Sequence, residues 1–213
     1  MEELLYHKTN KNNLPNIEKN GLKRTIGKNS KYAGEQNAIL CFSEGIDGVL
    51  LMTAVLSYGT KLNIAEYLKT LENDRILVFD KSGIKNERNY VDGRTTTNDI
   101  PANKLRMLEI KNNKTGAINS SALEVISYMM SKINPVDEQK LKQSLGNIPL
   151  NMKEEKIKTI TELYNQMYEA NKTRIEKYKK AFGEVLEEVT ADTLYSNRRS
   201  FWRYQRKRRF QAF

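Results

Sequence analysis

Apolar residues in the first half of the chain fall into short runs separated by Gly, Asn, Asp and Pro. Leu4-Leu5-Tyr6 reads as a short strand, followed by one or two helical turns from Asn12 to Lys19 with Pro15 near their start and Gly21 ending them. Ile39 to Phe42 reads as a second buried strand. Val49, Met52, Val55 and Leu56 mark the apolar face of a helix after it. Asp74 to Asp80, with a turn before it, and Leu105 to Ile110 are two further strands. They bracket a polar stretch from Gly83 to Lys104, a loop long enough to suggest function.

From residue 119 onward the period changes to that of a helix. Ser121 and Glu124 have capping-box spacing, and Leu123, Ile126, Met129, Met130 and Ile133 recur at helical intervals before Asn134-Pro135. A second helix is expected from Val136 to Leu145, stopping at Gly146. Met152 to Val189 carries an apolar face that includes Ile157, Tyr164, Met167, Ile175, Tyr178, Leu186 and Val189, as one long helix or a hairpin. The pattern predicts an α+β domain over residues 1–112 and a helical region over 113–213 that rests on it.

The single cysteine, Cys41, excludes an internal disulfide and a cysteine zinc cluster, so a cytoplasmic setting is expected. One histidine leaves only carboxylates for a metal site, and none is expected. Gly48 to Tyr58, the longest uncharged apolar stretch, is too short to span a bilayer, so no membrane partner is expected. The net charge of +10 is concentrated at one end: Arg198, Arg199, Arg203, Arg206, Lys207, Arg208 and Arg209 supply +7, leaving +3 for the rest. Phe201, Trp202, Tyr204, Phe210 and Phe213 are interleaved with these cations. Such a tail suits nucleic acid, through phosphate attraction and base stacking, and equally suits a terminal helix docked through its aromatic rings.

The only histidine, His7, stands in Leu4-Leu5-Tyr6-His7-Lys8-Thr9, ahead of Gly21-Leu22 and of Ile39-Leu40-Cys41-Phe42-Ser43. The order of strand, His-x-Thr, short helix, Gly-Leu and a strand ending in Phe-Ser resembles the start of the ADP-ribosyltransferase fold. The likeness is to the His-type branch, which includes diphtheria-toxin-like enzymes and poly(ADP-ribose) polymerases. The resemblance covers about half the chain and implies a split two-sheet domain, NAD as donor, and a nucleic-acid or protein acceptor.

Transfer of ADP-ribose breaks the bond between nicotinamide and ribose and builds positive charge on the sugar. The site must hold ribose hydroxyls, offer nicotinamide a stacking surface and set a carboxylate near the developing cation. By resemblance, His7 and Thr9 bind ribose, Ser43 belongs to the same NAD site, and Tyr58 stacks on nicotinamide. The acid falls at Asp92, one methylene shorter than the family's glutamate, with Glu87 as the alternative if the loop is threaded differently. RNA 2′-phosphotransferases share the fold but need further arginines, for which Arg24 and Arg94 are the candidates. The rival reading keeps the fold without turnover, as a binding module for nucleic acid or another partner. The chain has no Gly-x-Gly-x-x-Gly, Walker or Gly-x-Ser-x-Gly motif.

Overall fold

The first strand, β1, continues past Tyr6 and spans Leu4–Asn10, so His7 lies within the strand and not directly after it. The extension follows from pairing: every residue of β1 is matched antiparallel with β3 (Asp74–Asp80), from Leu4 against Asp80 to Asn10 against Asp74. The computed structural model describes residues 4–25, 40–44, 63–80, 88–90, 93–96, 98–132, 150–180 and 183–190.

A 3-10 turn at Lys11–Asn13 leads into α1 (Leu14–Asn20), with Pro15 in its first turn and Gly21 closing it at φ 75°. The second expected strand is β2 (Leu40–Glu44). The expected Gly83–Lys104 loop instead contains two short strands, β4 (Arg88–Tyr90) and β5 (Gly93–Thr96), paired antiparallel with Tyr90 opposite Gly93. Their few polar residues carry no apolar alternation, so only the backbone ladder reveals them. The expected strand at Leu105 is β6 (Arg106–Asn112), followed by β7 (Ile118–Asn119).

Among the described residues the strand pairs are antiparallel, in the order β4-β5-β2-β1-β3-β6-β7 with β8 (Glu184–Thr190) also on β6. With its helices, this is an α+β fold. β8 corrects the helical reading of Met152 to Val189. The helices there are α4 (Leu150–Ala170) and α5 (Lys172–Lys180), interrupted at Asn171, and Gly183 at φ 86° then turns the chain into a strand. β8 pairs with β6 over its whole length, Arg106 against Thr190 to Asn112 against Glu184. The ladder satisfies an edge of β6 that would otherwise leave a row of backbone groups open. Val136 to Leu145 lies outside the described residues.

The sheet has two covered faces. On one, Tyr6, Ile76, Val78, Leu108 and Ile110 pack with α2 (Ile64–Thr70), α3 (Ala122–Lys132), α4 and α5. On the other, Leu5, Leu77, Phe79, Leu105 and Met107 pack with Ile17 of α1, Leu22 and Ile100. β3 therefore reads as the unbroken apolar run Ile76-Leu77-Val78-Phe79, as a strand covered on both faces must. Residues on both sides of position 112 contribute to the first cluster.

Ser121 caps α3 as its spacing suggests, its Oγ accepting the N–H of Glu124 at 3.3 Å. The reciprocal half differs: Ser121 N–H donates to Asn119 Oδ1 at 3.1 Å, while the Glu124 carboxylate is held by Arg174 and Tyr178. A complete capping box occurs at α2, where Asn63 Oδ1 accepts from Glu66 N at 2.9 Å and Glu66 Oε2 accepts from Asn63 N at 3.2 Å.

Candidate functional site

Strand alternation sets the phase of the expected site. Leu5, His7 and Thr9 occupy alternate positions of β1, and Leu5 packs into the cluster that includes Ile17 of α1. His7 is half-buried opposite Leu77, and Thr9 is 8 % exposed opposite Arg75. Thr9 Oγ1 accepts from Asn13 Nδ2 at 3.3 Å, which ties the end of β1 to the turn before α1. A threonine hydroxyl keeps its own proton to donate when it accepts in this way.

The β1–β2 ladder consists of two pairs, Leu5 with Glu44 and Tyr6 with Ser43. Beyond them the strands part company. β2 runs on as Leu40–Phe42 against β5, and β1 runs on as His7–Asn10 against β3. β2 thus lies between β5 and β1 in one continuous sheet, and His7 stands just past the end of the short β1–β2 ladder. Ser43 stands opposite Tyr6 in the register, one position out of phase with His7 and Thr9.

The segment after α1 is clamped to the segment before β6. Leu22 and Ile100 exchange backbone hydrogen bonds of 2.8 and 3.0 Å. Asp99 accepts the Arg24 backbone N–H at 3.0 Å, Lys23 Nζ at 3.1 Å and Arg24 Nε at 3.3 Å. The Arg24 backbone N–H, then Lys23, hold the Asp99 carboxyl below the ordinary carboxylate range. Arg24, a candidate for phosphate recognition, is thus engaged by a carboxylate. Arg94 stands on β5 opposite Phe42.

A third polar group belongs to β3. Arg75 Nη1 donates to the carbonyls of Asp74 at 2.7 Å and Glu72 at 3.2 Å. Its pKa is lowered mainly by desolvation, against the opposing pull of Asp74 and Glu109. Asp74 itself accepts from Lys8 Nζ at 2.7 Å and Asn10 Nδ2 at 3.3 Å. Burial, then the nearby Asp74, push the Tyr67 hydroxyl far up.

Another polar group, which sequence reading did not single out as a unit, joins α3 to α5 and to Asn171 between α4 and α5. Asn171 Nδ2 donates to Ser127 Oγ at 2.5 Å, and Ser127 Oγ donates to the Leu123 carbonyl at 2.5 Å. Arg174 joins Asn171 Oδ1 at 2.9 Å to Glu124 Oε1 at 2.5 Å, and Tyr178 Oη donates to Glu124 Oε2. Desolvation and then Glu124 push the Tyr178 hydroxyl far up. The one local signal was Glu124 in its cap motif; its partners come from a helix far along the chain.

Tyr58, Glu87, Asp92 and the cations from Arg198 to Arg209 lie outside the described residues. Asp92 and Val91 are the two residues between β4 and β5 in the chain. Among the described residues no group of three or more His, Cys, Asp or Glu is placed to hold a metal, and no helix is long and apolar enough to cross a membrane. No family model, curated protein or solved structure matches this chain.

Proposed function

We propose that the protein is a mono-ADP-ribosyltransferase that consumes NAD as donor and modifies a nucleic acid or a protein. The observation that supports the reading is the short β1–β2 ladder beside His7, which stops after two pairs while β2 goes on with β5 and β1 with β3. A dinucleotide needs a groove lined by backbone and small polar side chains, and His7 and Thr9 share the phase of β1 that suits ribose hydroxyls.

In this reading His7 and Thr9 hold ribose, Tyr58 stacks on nicotinamide and Asp92 or Glu87 supplies the carboxylate. Nicotinamide leaves with the electron pair of its bond to ribose, the carboxylate stabilises the positive sugar that remains, and the acceptor then bonds the anomeric carbon and gives up its proton to solvent. That interaction strengthens in the transition state, so it governs turnover more than binding.

Incubation with NAD labelled in the adenosine moiety, together with mixed protein and nucleic-acid acceptors, tests the proposal. Label transfer is expected. Either Asp92→Asn or Glu87→Gln should keep NAD binding and lose turnover, by about 3 kcal/mol of barrier. Binding without transfer by the wild type would favour the non-enzymatic module. Wild-type transfer rates in both amide variants would remove the assignment of the acid.

A further inference from the structure

We propose that the surface formed by the β6–β7 turn and the C-terminal turns of α3 and α5 binds the phosphodiester backbone of double-stranded nucleic acid. Four exposed cations, Lys114, Lys132, Lys177 and Lys180, come together there from three separate elements. Contacts around a tyrosine pair fix their relation. Lys132 Nζ lies 5.3 Å from the centre of the Tyr128 ring, Lys177 Nζ lies 4.8 Å from that of Tyr178, and the two rings meet edge to face at 5.7 Å. Tyr128 Oη donates to the Glu184 carbonyl at 3.3 Å. Gly183, the preceding residue, accepts from the Asn113 backbone N–H at 2.8 Å, and the Lys114 side chain lies against it. Lys180 follows Lys177 by three positions and shares its side of α5.

Among the described residues, the acid that reaches these four cations is Glu124, which pairs with Lys177 from beneath. Glu124 is 14 % exposed and engaged by Arg174 and Tyr178 beneath it, with Lys177 Nζ at 3.8 Å. Glu184 is half-buried with Oε2 enclosed, and Glu176 is taken by Lys179 at 2.9 Å. Residues 172–180 hold five cations against one acid. Favourable interaction with a helix C-terminus explains a lysine in the last turn of α3 and of α5, but not Lys114, which comes from a turn between strands. Tyr178 is buried, and Tyr128 is partly buried with Lys132 over its ring, so the surface offers cations rather than a stacking platform and duplex phosphates are the fitting partner.

The surface lies on the helical side of the sheet, opposite the face shared by Leu5, His7 and Thr9, so its test is independent of the NAD reading. The experiment is a salt titration of the full-length protein with a labelled DNA duplex, a single strand of equal length and phosphatidylserine vesicles. The proteins are wild type, the fourfold alanine variant Lys114→Ala, Lys132→Ala, Lys177→Ala, Lys180→Ala, and the fourfold arginine variant at the same positions. The alanine variant should bind duplex at least tenfold more weakly, with the slope of log affinity against log salt reduced by about 3. The arginine variant should bind as the wild type does, with circular dichroism confirming that both remain folded. Unchanged affinity and slope in the alanine variant would overturn the proposal and leave any polyanion binding to the tail from Arg198. Vesicle binding tighter than duplex binding would overturn it in favour of a membrane surface.

Discussion

Gly21 sits so close to the Ile100 carbonyl that a β-carbon at position 21 would stand 2.3 Å from that oxygen. Its backbone, at φ 75° and ψ −178°, lies in a region that only glycine occupies readily. Both constraints act at the point where the chain leaves α1 and joins Leu22 to Ile100. Gly21→Ala should therefore destabilise the protein by about 3 kcal/mol, read as a lowered urea midpoint. A wild-type midpoint would show that the segment after α1 is not held against Ile100.

Asp99 makes the adjoining clamp sensitive to acid. Its folded-state pKa is depressed, first by the Arg24 backbone N–H and then by Lys23, so its contribution is complete above the ordinary aspartate value. It is lost as pH falls through the lower, folded-state value. Carbon-detected NMR titration should give Asp99 a midpoint below about 3.9, and Asp99→Asn should flatten the acid limb of stability. An Asp99 midpoint at or above that value would contradict the clamp.

Glu124, Arg174 and Tyr178 form one coupled unit between α3 and α5. Tyr178→Phe should cost about 1 kcal/mol, and Glu124→Ala about 3 kcal/mol because Arg174 then loses its carboxylate partner. The double variant should cost less than the sum of the two. Strict additivity in chemical denaturation would show that the hydroxyl and the carboxylate act separately.

The parts of the fold legible in the sequence are those whose signal is local. Ile76-Leu77-Val78-Phe79 is apolar on both faces, Gly21 ends α1, and Ser121 announces α3. β8 was hidden because Leu186 and Val189 fit the apolar face of the preceding helices as well as a strand; only Gly183 marked the change, and β6, which decides it, lies far back in the chain. The polar run Lys8-Thr9-Asn10 hides the second half of β1, which full pairing with β3 keeps extended. α2 carried an unread signal in Asn63 and Glu66. At the candidate site, the shared phase of His7 and Thr9 follows from strand alternation. The end of the β1–β2 ladder beside them does not, since it depends on where β2 pairs with β5 instead of β1.

The proposed donor site is tested most directly by calorimetric titration of NAD into full-length wild type and His7→Ala. His7 is half-buried just past the end of the β1–β2 ladder, so its removal should leave the thermal unfolding midpoint nearly unchanged. The expected result is NAD binding by the wild type, weakened at least tenfold in His7→Ala. Equal NAD affinity in the two proteins, or no binding by the wild type, would contradict an ADP-ribose donor site at His7.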